Sequence, residues 1–250
     1  NFNYNKNDLV ALSEGLDNVE IGTTKLEIDK SIDAFWVLKN SGIYNTDGEV
    51  PVNPSTNSPI TYKGVALKAG DPRWEDVNGD YVINDDDKVL QGNYMPKMSG
   101  GFGSSLTYNN FSLDFQFFFA LNRQVLNQYA SSRLDFINTE VNNNINSVKE
   151  ISFWERKQDL SGYPVYNPWS PVVPYRTDQD LFLDNASYLK LRSVSIAYDL
   201  SQGGTRTAFR KCMLYVTGTN LLTISPFKGD DPELVNYNGV YNGYGLPNPQ

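Results

Sequence analysis

Met98-Ser-Gly-Gly-Phe-Gly-Ser-Ser-Leu-Thr-Tyr108, Asn109-Asn110 and Phe111-Ser-Leu-Asp-Phe-Gln-Phe-Phe-Phe-Ala-Leu121 form one unbroken stretch whose reading decides the fold. Asn tolerates positive φ, so an Asn-Asn pair between two alternating runs predicts a two-residue primed turn and an antiparallel hairpin. In the second run Leu113, Phe115, Phe117, Phe119 and Leu121 fall on one face, against Ser112, Asp114, Gln116, Phe118 and Ala120 on the other. One face is oily and the other mostly polar, with the hairpin's one charge, Asp114, on the polar side. About eleven residues of this pattern, tilted near 45°, match the length of a strand that crosses a bilayer.

Composition narrows the alternatives. The chain has 250 residues, of which 40% are hydrophobic and 13% aromatic, with 16 Tyr and 13 Phe, a usage that fits β structure. No run approaches the 18 apolar residues of a membrane helix, and Asn1-Phe-Asn-Tyr-Asn-Lys lacks the apolar segment of a signal peptide. Barrel strands escape that test, because lipid-facing and lumen-facing residues alternate. A net charge of −8, with no basic patch interleaved with aromatics, argues against nucleic acid. The lone Cys212 excludes an internal disulfide and reads as a small packed side chain at the start of a strand.

The chain has no histidine, so Ser-His-Asp, Cys-His and His-ligated metal chemistry are outside its reach. Adjacent carboxylates such as Asp85, Asp86 and Asp87, or Asp230 and Asp231, do not by themselves span a sugar ring as a glycosidase pair does. Gly100-Gly-Phe-Gly103 precedes a strand and is no phosphate loop. The chain therefore reads as a non-enzyme.

Short and long connections alternate along the chain. Val19–Ile28 and Ile32–Leu38 look like strands joined by Asp29-Lys30-Ser31, and a loop-like stretch of residues 40–97 follows. After the hairpin a second long connection covers 122–186, helical near Val125 to Phe136. Strands return at Ser187–Asp199 and Lys211–Leu221, separated by a turn over residues 200–210. Short turns on one side and long loops on the other suit an outer-membrane barrel. A soluble β-sandwich also alternates, and a calcium-stabilised glycan-binding sandwich is the alternative, with an adhesive surface module behind it. Against the sandwich, loops of this length are uncommon in compact domains. Six strands would also leave open edges in a membrane, so the expectation is one part of a larger closed barrel.

Within the first long loop lies Asp76-Val-Asn-Gly-Asp-Tyr-Val-Ile-Asn-Asp-Asp-Asp87. Its oxygen donors Asp76, Asn78, Asp80, the Val82 carbonyl, Asn84 and Asp87 have the spacing of a calcium loop, so a structural Ca2+ is expected there. The departure is at position six, where Tyr81 stands in place of glycine.

Three blocks then carry a family resemblance. Gly70-Asp-Pro-Arg-Trp-Glu-Asp-Val-Asn-Gly-Asp80, continuing to Lys97, resembles the GD…DVNGDG segment of SusC/RagA-type TonB-dependent outer-membrane transporters. Leu183-Asp-Asn-Ala-Ser-Tyr-Leu-Lys-Leu-Arg-Ser-Val-Ser-Ile-Ala-Tyr-Asp-Leu200 is similar to a later segment of the same family. So is Leu214-Tyr-Val-Thr-Gly-Thr-Asn-Leu-Leu-Thr-Ile224 with Lys228-Gly-Asp-Asp-Pro-Glu233. Order and spacing agree from about Ser31 onward.

The resemblance implies an all-β fold: the C-terminal third of a large antiparallel transmembrane barrel, 22-stranded in the family, with its final strand missing, its plug absent, and 40–97 and 122–186 as extracellular loops. It implies uptake of oligosaccharides or peptides across the outer membrane of a Gram-negative, Bacteroidota-type bacterium. The implied partners are a SusD-like surface lipoprotein acting as lid, and the TonB complex acting through the missing N-terminal region. Leu113, Phe115, Phe117, Phe119 and Leu121 are then expected to face lipid. The loop aromatics Trp154, Tyr163, Tyr166, Trp169 and Tyr175 become candidate contacts to cargo or lid, against packing within the loop.

Overall fold

Met98–Tyr108 and Phe111–Leu121 pair along their whole length in a computed structural model that describes residues 1–13, 15–21, 24–132, 171–200 and 212–243. The two-residue turn forms as expected: Asn109 takes φ 50°, a conformation that Asn tolerates, and Asn110 Nδ2 donates to the Asp199 carbonyl at 2.9 Å. Two further twelve-residue strands extend the sheet, Tyr188–Asp199 against Phe111–Leu121 and Met213–Ile224 beyond it. Phe2–Tyr4 adds a short fifth strand on the other edge, and every pairing is antiparallel. The sequence reading gave the N-terminal segment no strand, because three residues hold too little alternation to see.

Cross-strand partners share a face, so the register spreads the two characters of the hairpin across the sheet. Phe102 lies opposite Phe117, with rings stacked at 5.0 Å, and Leu106 lies opposite Leu113. Leu113 in turn meets Ile196, and Ile196 meets Val216. On this face Phe102, Leu106, Ile196, Val216, Leu222 and Ile224 are each about half exposed or more. A sandwich would cover such a face with a second sheet; among the described residues no second sheet covers it.

The register slips at one place. Arg192 has no opposing residue in either of its strand's pairings, and Asn220, beside it in the next strand, adopts φ 50°. A bulge of this kind re-aims side chains. Arg192 keeps the facing of Lys190 and Tyr188, its guanidinium 5.2 Å over the Phe118 ring, and beyond it the parity switches so that Ser193 and Ser195 lie opposite Gln116 and Asp114 on the polar face.

The expected strands Val19–Ile28 and Ile32–Leu38 take another form. Asn18–Ile21 folds back on Thr24–Glu27 as a small hairpin, and Phe35–Leu38 pairs with Lys88–Gln91 away from the main sheet. The physical reason is in the residues: Phe35-Trp36-Val37-Leu38 is buried at every position, the mark of a core strand and not of a two-faced wall. The first long loop is likewise folded. Short strands at Asn40–Ile43, Thr61–Tyr62, Val65–Ala66, Pro72–Trp74 and Val82–Ile83 enclose a core of Leu38, Tyr44, Ile60, Tyr62, Trp74 and Ile83. Their two to four residues are too few to show periodicity between turn-forming neighbours. In the second connection Gln124–Asn127 is a strand, and residues 128–132 are helical. The remainder of the expected helix lies outside the described residues.

Candidate functional site

The acidic loop is closed by its own backbone. Asp76 accepts from the Gly79 and Tyr81 amides at 2.7 and 2.9 Å, Asn78 from Asp80 at 2.9 Å, and Asp80 from Val82 at 2.7 Å. Tyr81 takes the left-handed φ, 64°, that a glycine would adopt freely, and its ring packs on the loop core. Asn84 caps the short 3₁₀ turn Asp85–Asp87. Asp87 is fully buried and gives its oxygens to the Val77 and Asn84 amides, each at 2.9 Å, while burial pushes its carboxyl above the usual range.

As placed, this set does not fit a calcium cage. The position-twelve carboxylate, which should grip the ion with both oxygens, is turned inward onto amides. Among the described residues no three Asp, Glu, His or Cys side chains gather as a metal site. The oxygen spacing that suggests calcium also suits a run of Asx turns, and the turns are what form.

Two networks stand out, one within the loop layer and one between a loop and the main sheet. In the first, Lys88 Nζ meets Asp178 at 2.7 Å and Asp85 at 3.0 Å, and Arg176 bonds Asp178 from the other side. Burial alone would raise the Asp178 pKa, but the two cations outweigh it and hold the carboxyl at about 2. Next to it, fully buried Gln179 accepts from Trp74 Nε1 and Asn40 Nδ2, both at 2.9 Å, and donates to the Pro174 and Arg176 carbonyls.

The second network sits on the polar face of the sheet. Glu233 accepts from Tyr188 Oη at 2.6 Å, from Lys190 Nζ at 2.7 Å and from the Arg192 guanidinium. Lys190 also reaches Asp231 at 2.8 Å, and Arg123 donates to the Pro232 carbonyl at 2.9 Å. The Asp231–Glu233 turn is thus riveted onto the strand at the bulge. Alternation in Tyr188-Leu-Lys-Leu-Arg192 places Tyr188, Lys190 and Arg192 together, but nothing local shows that their partner lies some forty residues later.

Of the candidate contact aromatics, Trp154, Tyr163, Tyr166 and Trp169 lie outside the described residues. Tyr175 is 1% exposed and packs with Phe35, Val37 and Leu126, so it presents no ring to cargo or lid. Leu113, Phe115, Phe117, Phe119 and Leu121 do share one face of the sheet.

No family model matches the chain. It is 26% identical, over 98% of its length, to TonB-dependent receptor P26 of Formosa agariphila, and 26% identical over 97% to TonB-dependent receptor P3 of the same organism. The chain is similar to TonB-dependent receptors over nearly its whole length. It spans about a quarter of the length of these relatives, 25% and 23%. Among solved structures, the RagAB peptide importer matches over 98% of this chain in its open-open state, with TM-score 0.64 and 21% identity. The closed-closed state matches over 97%, with TM-score 0.62 and 22% identity. These likenesses show the fold: the main sheet corresponds to part of an outer-membrane barrel wall, and the small sheets to its connections.

Proposed function

We propose that the chain forms part of the wall and loop layer of an outer-membrane, TonB-dependent importer, with Leu113, Phe115, Phe117, Phe119 and Leu121 against lipid. The observation that carries this reading is the sheet itself. Its bare apolar face is continuous across four strands, and its polar face holds the ionic rivets that fix the loops. Exposed to water, that face would be an aggregation hazard; against acyl chains it is stable. The relatives are receptors and an importer, so the role is passage of cargo and not chemistry.

The cargo is a sizeable nutrient, an oligosaccharide or a peptide, and a SusD-like lipoprotein covers the loop side. Energy comes through TonB acting on other parts of the full-length protein. The test is the native mass and membrane association of the full-length protein, with its co-purifying chains identified. A detergent-requiring particle that carries a surface lipoprotein supports the reading. A water-soluble monomer would overturn it.

A further inference from the structure

Three neighbouring wall strands, Phe111–Leu121, Tyr188–Asp199 and Met213–Ile224, meet the loop layer at the same end of the sheet, opposite the Asn109-Asn110 turn. The connections at that end enclose a pocket of about 270 Å³: Asn127 and Tyr129 follow the first strand, Asp184 precedes the second, and Lys228 and Asp230 follow the third. Asp230 stands next to Asp231, which Lys190 of the wall holds at 2.8 Å, so the pocket is tied to the polar face of the sheet. Its volume falls just under the roughly 300–1,000 Å³ of whole small-ligand sites, and its wall is mainly polar.

Each of its two carboxylates is held by one oxygen and leaves the other open. Asn127 Nδ2 donates to Asp184 Oδ2 at 2.8 Å, and the Tyr241 hydroxyl donates to Asp230 Oδ2 at 3.1 Å. Neither Oδ1 accepts a hydrogen bond among the described residues. Lys228 is exposed, and among the described residues its ammonium forms no ion pair. Beside these groups stands Tyr129, 41% exposed, its ring edge to face with buried Tyr241 at 6.2 Å. The turn that carries Lys228 and Asp230 passes so close to these rings that a Cβ on Gly229 would lie 2.4 Å from the Phe227 ring and 2.9 Å from that of Tyr241. Carboxylates fixed in this way before a ligand arrives lower the ordering cost of binding.

Resting on the importer reading above, we propose that this pocket is a cargo subsite for one sugar ring of an oligosaccharide. The two open carboxylate oxygens accept from ring hydroxyls, the Lys228 ammonium donates to another oxygen of the ring, and Tyr129 offers an apolar surface to its C–H groups. A hydroxyl both donates and accepts, so a lining with fixed acceptors and a mobile donor suits a neutral polyol. A charged peptide side chain would meet a like charge, Lys228 for a cation and the two aspartates for an anion. An apolar side chain would desolvate the carboxylates and give them no partner.

The test applies the full-length receptor with its co-purifying partner, in detergent, to an array of neutral hexasaccharides built from glucose, galactose, mannose and xylose, with tripeptides printed beside them. The expected result is retention by at least one glycan and by no tripeptide. Titrated calorimetrically, that glycan should bind about tenfold more weakly to Lys228→Met and to Asp184→Asn, the worth of one charge-assisted hydrogen bond. Lys228→Met removes an exposed ammonium that holds nothing else, so it leaves the fold intact. Retention by no glycan, by tripeptides alone, or by a glycan that both variants bind at wild-type affinity would overturn the subsite. The importer reading fails separately. A detergent-requiring particle with a surface lipoprotein whose glycan affinity is indifferent to both variants loses the subsite and keeps the importer, whereas a water-soluble monomer loses the importer itself.

Discussion

Lys190 carries an ammonium at the polar face of a strand, 2% exposed, with two carboxylates within 2.8 Å. Removing one member of a buried pair leaves the others uncompensated, at a cost on the order of 3 kcal/mol. Lys190→Met should therefore free the Asp231–Glu233 turn, seen as faster cleavage at residues 225–243 under limited proteolysis. Cleavage at the wild-type rate would show that the rivet contributes nothing. At Asp178 the sign of the pH dependence is fixed by a folded pKa of about 2, below the ordinary value near 3.9. Its contribution is fully present above the ordinary carboxylate range and is lost as pH falls from about 4 towards 2. Asp178→Asn should flatten the acid limb of loop unfolding across that window; an unchanged limb would contradict the assignment. At Gly239 the strained φ and the contact with Tyr94 predict that Gly239→Ala destabilises the loop layer by more than about 1 kcal/mol, measurable as a lower Tm.

Among the elements, the hairpin was the most legible, and for a plain reason. Eleven residues of largely alternating pattern on each side of Asn109-Asn110 contain enough repeats for the period to outweigh composition. Phe117→Lys should then cost about 2–4 kcal/mol in the membrane, while Gln116→Lys on the other face should cost far less; equal costs on both faces would refute the two-faced reading. The acidic loop was legible as a loop but ambiguous as a metal site, since Asx turns and calcium ligation use the same residue types at the same spacing. Asp76→Ala removes the acceptor for two amides and should increase proteolysis within 70–97, whereas chelator should leave the wild-type pattern unchanged. Chelator-dependent cleavage would restore the ion. The two- to four-residue strands of the first long loop were invisible, because their order comes from a shared core around Trp74 and Gln179 and not from local pattern.

For the molecule as a whole, the sequence carried the class through alternation and three motif blocks, and the motifs prove to be structural rivets. The Tyr188–Arg192 stretch and the Asp231–Glu233 turn, read separately, meet in one ionic cluster at the bulge. Such a pairing joins residues about forty positions apart and leaves no local trace. The bulge itself is equally silent in sequence, although it decides that Ser193 and Ser195 fall on the polar face and Val194 and Ile196 on the apolar one. All of this rests on one proposed division, between an apolar face of the sheet set against lipid and a polar face set against water and loops. Site-directed spin labels placed singly at positions 113 to 119 of the full-length protein in bilayers, with Cys212 replaced by Ser, test that division most directly. The account predicts oxygen accessibility high at 113, 115, 117 and 119 and low at 114, 116 and 118, with a water-soluble nickel chelate showing the opposite pattern. Accessibility to the nickel chelate at every position, with no period of two, would contradict it.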